Sequence, residues 1–189
     1  MSFHRHVHPS ARSGALMPAK KPVLYGRLTG VGLIAALLAL ALDQGSKVWL
    51  LWGFDLPARQ PVPVGPFLDL VVVWNTGISY GLFPQTGPLG QWALLAVKVI
   101  AVLLLWVWLA RVEARLTAVS LGLIIGGAIG NAIDRATLGA VFDFVLLHAT
   151  IAGETWRWYV FNLADVAIVA GVIGLVYETV WPPDAVKAP

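Results

Sequence analysis

The chain has 189 residues, of which 58% are apolar and 12% are charged, and it contains no cysteine. A soluble domain of ordinary composition carries about 25% charged residues, so these proportions indicate a protein that uses the bilayer as its solvent. The lack of cysteine excludes a disulfide framework, a thiolate metal site and a cysteine nucleophile.

The net charge of +3 is distributed unevenly, because the first 27 residues contain five basic residues and no acid. We interpret residues 1–27 as a disordered basic arm that lies against anionic lipid. Nucleic acid is the alternative partner of such an arm, but the sequence contains no folded basic module to bind it. His4, His6 and His8 alternate within the arm, where a solvated tail explains them better than a metal site does.

Four segments approach the length of about 20 apolar residues with which a helix crosses a bilayer. They are residues 28–51, 89–109, 116–133 and 158–178. The first is too long for the apolar core of a secretory signal and has no small-residue cleavage site, so we interpret it as a retained helix. The sequence therefore predicts an all-α integral membrane protein, a four-transmembrane-helix bundle with one membrane domain over residues 28–181 and a tail over residues 182–189.

Small residues recur along the last two predicted spans. The third span has Gly122, Gly126 and Gly130, and the fourth has a stripe that comprises Ala164, Ala167, Gly171 and Gly174. Such stripes let helix backbones approach closely. We interpret them as packing surfaces without a chemical role.

The basic residues outside these spans predict the orientation of the bundle. Eight lie in the arm, the 110–115 connection and the C-terminal tail, whereas Arg59, Arg135 and Arg157 lie in the connections 52–88 and 134–157. By the positive-inside rule, both termini are cytoplasmic and the two longer connections face outward.

Residues 67–74 predict a small extracytoplasmic β element between the first two helices. They are rich in β-branched and aromatic residues and lie between three prolines and the turn sequence Asn75-Thr76-Gly77. A re-entrant helix is the alternative, but eight residues are too few and too β-branched for it. Residues 141–144 alternate in polarity and predict a further short extended segment.

Polar residues of three predicted spans fall at one depth near the outer surface. The first span contributes Asp43 and Lys47, the third ends on Asn131, Asp134 and Arg135, and the fourth contributes Asn162 and Asp165. An ionised group in hydrocarbon costs at least about 2.5–3.5 kcal/mol on insertion scales, so this cluster indicates a functional site inside the bundle. For any single acid, an interfacial position that reaches water is the alternative.

The local sequence separates two acids from the others. Asp43 has Lys47 one turn away and Asp134 has Arg135 beside it, so we interpret both acids as members of structural ion pairs. Asp143 and Asp165 have no basic neighbour in the sequence. Two carboxyl groups in a pocket of low dielectric share one proton and can serve as base and acid on one water. We therefore predict Asp143 and Asp165 as a catalytic pair.

Other functions use some of the same residues. Ser46 beside Lys47 is a candidate Ser–Lys pair, and Lys98 is interpreted as a residue that snorkels or hydrogen-bonds inside the bundle. A transporter or channel would use the acids as an ion path, but the inner halves of the spans are apolar apart from Lys98. A non-catalytic assembly partner would not need unpaired acids at one depth.

Five motifs together resemble the lipoprotein signal peptidase family, also called signal peptidase II. They are residues 43–47 (DQGSK), 75–81 (NTGISYG), 126–135 (GGAIGNAIDR), 141–144 (VFDF) and 161–165 (FNLAD), in the family's order. The resemblance covers about residues 28–180. It departs at Ser46 and Ser79, where threonine and alanine are common, and in the longer interval between Asp143 and Asp165.

The resemblance implies an aspartyl endopeptidase of the bacterial inner membrane, with its site near the periplasmic face. It would remove the signal peptide of a prolipoprotein before a cysteine that bears diacylglycerol. The implied partners are these lipidated precursors and membrane lipid, the implied state is a monomer, and neither a metal nor an organic cofactor is required. The family's catalytic pair matches Asp143 and Asp165, and its supporting or substrate-binding positions match Asp43, Lys47, Asn75, Gly77, Asn131, Asp134, Arg135, Asn162 and Ala164.

Overall fold

The computed structural model describes residues 24–77 and 87–181. Its helices are α1 (Thr29–Val48), which continues as a π-helical turn (Trp49–Gly53), α2 (Leu56–Arg59), α3 (Pro88–Leu109), α4 (Arg115–Leu138) and α5 (Leu163–Val180). Its strands are β1 (Val62–Pro63), β2 (Leu68–Asn75), β3 (Val141–Ile151) and β4 (Glu154–Arg157). Most of the predicted arm, residues 78–86 with Ser79, and the predicted tail 182–189 lie outside the described residues.

Four helices are long and apolar enough to cross a membrane, which confirms the predicted number within the described residues. Two ends differ from the prediction. Helix α4 continues to Leu138, so Arg135 lies inside it and not in the connection that follows. Helix α5 begins at Leu163 and not at residue 158, because Asn162 caps it. The Asn162 side chain accepts a hydrogen bond from the Asp165 N–H (3.0 Å), and the Asp165 carboxylate accepts one from the Asn162 N–H (3.2 Å).

Helix α4 lies at the centre of the bundle and packs against α1, α3 and α5. Glycines allow the backbones to approach at these interfaces. A Cβ atom at Gly126 would lie 2.3 Å from the carbonyl oxygen of Ala36 in α1, and one at Gly171 in α5 would lie 2.5 Å from that of Ser120. The predicted stripes of small residues therefore serve close helix packing.

A four-stranded antiparallel sheet, in the order β1-β2-β3-β4, covers the end of the bundle at which α1 and α4 end. We call this the sheet end. The sequence predicted a β element between the first two helices and a short extended segment at residues 141–144, whereas β3 continues to Ile151 and pairs with β4 within the connection between α4 and α5. Their hairpin turns at Ala152 and Gly153, whose φ angles of 52° and 88° suit a two-residue type I′ turn.

An extra residue in β2 determines which side chains share a face of the sheet. Leu70 pairs with Val145 but Val73 pairs with Asp143, so β2 advances three residues where β3 advances two. Because side chains alternate between faces along a strand, this β-bulge places Asn75 on the same face as Asp143.

Residues 24–27, at the start of the described part of the chain, belong to the segment that we predicted as a basic arm. The Trp106 indole N–H donates to the carbonyl oxygen of Leu24 (3.1 Å), and a Cβ atom at Gly26 would lie 2.0 Å from the carbonyl oxygen of Ala110. Residues 24–27 therefore pack against the end of α3.

Candidate active site

Lys47 lies at the centre of a buried ion-pair cluster. Its Nζ is 2.9 Å from Asp43 Oδ2 and 2.7 Å from Asp134 Oδ2, and these three side chains are at most 3% exposed. Lys47 also donates to Asn131 Oδ1 (3.2 Å). The predicted Asp43–Lys47 pair is present, but Asp134 pairs with Lys47 and not with Arg135. Neighbouring side chains on a helix diverge, so sequence adjacency was a poor guide to the partner of Asp134.

Amide groups from three other positions hold the two carboxylates of this cluster. The Ala164 N–H at the start of α5 donates to Asp43 Oδ1 (2.9 Å), and the Phe142 N–H in β3 donates to Asp134 Oδ2 (3.1 Å). The Gln44 Nε2 lies 3.1 Å from Asp43 Oδ2 and 3.0 Å from Asp134 Oδ1. Gln44 was missed as a site residue, and its position beside Asp43 in the first motif was the signal that could have identified it.

Asp143 in β3 is 2% exposed and accepts hydrogen bonds from two asparagines. Asn75 Nδ2 donates to its Oδ2 (3.1 Å), and Asn162 Nδ2 donates to its Oδ1 (2.6 Å). Backbone groups orient both amides, because Asn75 Oδ1 accepts from the Gly77 N–H (3.0 Å) and Asn162 Oδ1 accepts from the Asp165 N–H (3.0 Å). Each asparagine therefore presents its NH₂ group to Asp143.

Asp165 lies in the first turn of α5 and is linked to Asp143 through asparagines. Its Oδ1 accepts a hydrogen bond from Asn131 Nδ2 (3.0 Å). The Asn131 Oδ1 in turn accepts one from Asn162 Nδ2 (3.0 Å), and the same Asn162 Nδ2 also donates to Asp143. The Asp165 carboxylate also accepts from the backbone N–H of Asn162, whose side-chain amide donates to Asp143 and Asn131.

The environment of Asp143 favours its neutral form. Burial raises the pKa of this carboxyl from 3.8 to about 7, and the charge of Asp165 contributes to the same shift. The hydrogen bonds from Asn75 and Asn162 lower the pKa and partly oppose this effect. Asp143 can therefore hold a proton close to neutral pH and donate it to a bound molecule.

Arg135 in α4 is buried and donates through Nη2 to the carbonyl oxygen of Gly77. Its Nε and Nη1 have no hydrogen-bond partner within residues 24–77 and 87–181. A buried guanidinium with unused donors can bind the carbonyl oxygens of a ligand.

The candidate Ser–Lys pair is not formed. The Ser46 hydroxyl donates to the carbonyl oxygen of Asp43 (2.8 Å), while the Lys47 ammonium is paired with two carboxylates. A lysine in such a pair is not a base for a serine nucleophile.

A cavity of about 550 Å³ opens beside Asp143 at the sheet end. The last residues of β2 form one wall, and residues 157–160 form another. Its lining includes Val73, Trp74, Asn75, Gly77, Trp158 and Tyr159. The apolar and aromatic walls, with the few polar groups near Asp143, are typical of a site that binds a partly apolar ligand.

A family model described as signal peptidase (SPase) II matches residues 35–181. The chain is 57% identical over 159 residues to a lipoprotein signal peptidase of Rhodopseudomonas palustris (strain TIE-1), covering 84% of this chain and 97% of the relative. It is 60% identical over 158 residues to a lipoprotein signal peptidase of Nitrobacter hamburgensis, covering 84% and 96%. A protein of the same name from Methylorubrum extorquens is also 60% identical over 158 residues, covering 84% and 89%.

Two solved structures, both described as a bacterial membrane enzyme studied by the in meso method, have a similar fold. Their TM-scores are 0.67 and 0.63 at 21% sequence identity. The first alignment covers 85% of this chain and 92% of the solved chain, and the second covers 84% and 98%. At this identity the likeness concerns the fold alone.

Proposed function

Since this chain belongs to the signal peptidase II family, and is thus a peptidase and a bacterial multi-pass membrane protein, we propose that it cleaves diacylglyceryl-modified prolipoproteins before the lipidated cysteine. The proposed catalytic groups are the carboxyls of Asp143 and Asp165. The observation that carries this assignment is the network of asparagines through which the buried Asp143 and the half-buried Asp165 are linked.

In the proposed mechanism, Asp143 carries the proton and Asp165 is ionised. A water molecule held between them gives a proton to Asp165 as its oxygen attacks the scissile carbonyl carbon. Asp143 donates its proton to the carbonyl oxygen in the same step. When the tetrahedral intermediate collapses, Asp165 protonates the departing amine, the C–N bond breaks, and Asp143 recovers its proton from the hydroxyl group.

The remaining site residues have supporting roles in this proposal. Asn131 and Asn162 orient the two acids, and the Lys47 cluster joins α1, α4, α5 and β3 beneath them. The unused N–H groups of Arg135 are suited to peptide carbonyl oxygens on either side of the scissile bond. The cavity at the sheet end would hold the extended peptide, and an acyl chain of the precursor would enter the site from the surrounding bilayer.

The first test replaces each catalytic acid with asparagine. We expect Asp143→Asn and Asp165→Asn to reduce single-turnover cleavage by roughly 10²–10⁴-fold or more, because an amide cannot transfer the proton. Their free energies of unfolding should fall by about 1–3 kcal/mol, because the amide turns one hydrogen-bond acceptor into a donor that faces another donor, while no ion pair is broken.

Asp134→Asn is the matched control for this test, because it also neutralises a buried acid. It removes one of the two carboxylates that neutralise Lys47, so we expect a larger loss of about 3–5 kcal/mol in unfolding free energy together with lower activity. Thermal unfolding in detergent, recorded beside cleavage, separates the two effects. An active Asp143→Asn beside a stable but inactive Asp134→Asn would reassign the pair to Asp134 and Asp165.

The second test concerns the lipid on the substrate. A site at the end of a membrane bundle can admit an acyl chain from the bilayer, so we expect diacylglyceryl-modified precursor to be cleaved far faster than unmodified precursor. Mass analysis of the products from equal amounts of the two precursors measures this difference. Equal rates would show a peptidase without the proposed specificity for lipidated substrates.

A further inference from the structure

The side chain of Gln60 is bonded to the backbone of β2 at a point close to the candidate active site. Its Oε1 accepts a hydrogen bond from the Val72 N–H (2.6 Å). Gln60 is itself held at the end of α2, because its backbone N–H donates to the carbonyl oxygen of the buried Leu56 (2.9 Å). Gln60 and Val72 lie outside the five motifs, and the proposed mechanism does not use either of them.

Val72 lies within the β-bulge of β2, between Leu70 and Val73. Over this interval β2 has one residue more than β3, so one backbone position of β2 loses its partner in the ladder. On its other side β2 pairs with β1, but only as far as Val62, which lies opposite Leu70. In the same register Gln60 lies opposite Val72. Its side chain therefore continues the pairing of β2 past the end of β1, at the bulge.

The bulge decides whether Asn75 can reach Asp143. If β2 and β3 paired without the extra residue, Val72 would lie opposite Asp143, and Asn75 would point to the other face of the sheet. With the bulge, Val73 lies opposite Asp143, and Asn75 Nδ2 donates to Asp143 Oδ2 (3.1 Å). A change of one residue in this register would therefore remove the hydrogen bond from Asn75 to Asp143.

We propose that Gln60 is a positioning residue for the reaction: by holding the bulge of β2, it keeps Asn75 on the face of the sheet where Asn75 contacts Asp143. Gln60 and β3 lie on opposite sides of β2, two strand spacings of about 4.8 Å apart, so its effect on Asp143 passes through β2. This inference rests on the proposed function, because it assumes that Asp143 is the acid.

The test is the pH profile of kcat/KM for Gln60→Met, which keeps the length of the side chain and removes the acceptor. The hydrogen bond from Asn75 lowers the pKa of Asp143. Its loss should therefore move the alkaline limb of the profile, on which Asp143 loses its proton, to higher pH. The maximal kcat/KM should fall roughly 3–10-fold, because one oriented hydrogen bond is lost. The substitution leaves unchanged the charged groups around Asp143, which are Asp165 of α5, Lys47 of α1, Arg135 of α4 and Arg157 of β4.

Three further variants separate this role from a general effect on the sheet. Gln60→Glu keeps an acceptor oxygen, and its charge is screened at physiological ionic strength, so the limb should stay where the wild type has it. Arg59→Met changes the preceding residue, whose guanidinium carbon lies 5.0 Å from the centre of the Phe54 ring, and should not move the limb. The double variant Gln60→Met/Asn75→Ala should have the same limb as Asn75→Ala alone, because both substitutions remove one contact.

An unshifted limb in a folded Gln60→Met, an equal shift in Gln60→Glu or Arg59→Met, or a double variant in which the two single shifts add would overturn the inference. Thermal unfolding identifies the folded variants, and Gln60→Ala replaces the methionine variant if that protein does not fold. Asp143→Asn and Asp165→Asn are measured in the same series. Activity in either would refute the proposed function itself, whereas two inactive variants beside an unshifted Gln60→Met would refute only the role of Gln60.

Discussion

Asn75 and Asn162 show how single residues control the proton on Asp143. Both side-chain oxygens accept from backbone N–H groups, so neither amide can rotate without losing a bond. Both NH₂ groups consequently point at the Asp143 carboxyl, where they stabilise its ionised form against the effect of burial. The balance leaves the pKa of Asp143 at about 7.

This balance predicts a pH dependence at the residue scale. If Asp143 is the acid, kcat/KM should decline as the pH rises through about 7, because the carboxyl then loses the proton that it must donate. Asn75→Ala removes a hydrogen bond that lowers the pKa of Asp143, so Asp143 should stay protonated to higher pH. We therefore expect the alkaline limb of the profile to move upward in this variant.

Asp69→Asn is the control for the Asn75 variant, because Asp69 lies in the same strand but faces His148 at 3.2 Å. It should leave the alkaline limb unchanged in the same assay. A downward shift in Asn75→Ala would show that Asp143 is not the group that titrates there.

At the scale of the helices, close contact with α4 holds the site together. Gly130 lets α1 approach α4 at the site, because a Cβ atom there would lie 2.5 Å from Asp43 Oδ2. The same close approach of α1 to α4 occurs farther from the acids, at Gly122 and Gly126. A Cβ atom added at either glycine would collide with backbone atoms of α1. The acids therefore meet because a row of glycines brings two backbones together.

We predict that Gly126→Ala destabilises the bundle. Its methyl group would lie 2.3 Å from a backbone oxygen and 2.9 Å from the Cα atom of Ala36, so the helices must separate. We expect a loss of about 1–3 kcal/mol in unfolding free energy, measured by thermal unfolding in detergent.

Gly45→Ala is the matched control for Gly126→Ala. A Cβ atom at Gly45 would meet nothing within 4 Å, so the substitution should be neutral or stabilise α1 by up to about 1 kcal/mol. Equal effects of the two variants would mean that helix propensity, and not the α1–α4 contact, governs both.

At the scale of the whole molecule, the exposed apolar surface fits a bilayer. Exposed tryptophans mark both ends of the bundle: Trp49, Trp52, Trp92, Trp156 and Trp158 toward the sheet end, and Trp108 and Trp181 toward the other. Indole rings favour the interface between hydrocarbon and water. Arg135 lies inside α4 and not in the connection that follows it. The basic residues of the outer connections are therefore Arg59 and Arg157, which makes the predicted charge asymmetry larger.

The predicted orientation can be tested with introduced cysteines, because the chain contains none of its own. A cysteine at Ala58 or at Ala152, both exposed at the sheet end, should react with an impermeant thiol reagent in intact cells. A cysteine at Ala114, between α3 and α4, should react only after the membrane is permeabilised. Labelling at Ala114 in sealed cells would reverse the orientation and place the site on the cytoplasmic side.

The sequence by itself determined the number of spans, the family and, apart from Gln44, the identity of the polar residues that meet. Hydropathy is summed over neighbouring residues, so each span is visible without knowledge of the others. Acids in such spans are costly unless they face one another, which allowed the cluster to be predicted before its geometry was known.

Only the tertiary structure decided which polar groups are partners. Asp134 pairs with Lys47 and not with its neighbour Arg135, and Gln44 spans two acids on different helices. The bulge in β2 sets the face of Asn75, and strands β3 and β4 complete the sheet. Hydrogen bonds and ion pairs depend on directions and distances between segments far apart in the chain, whereas hydropathy depends only on what is adjacent.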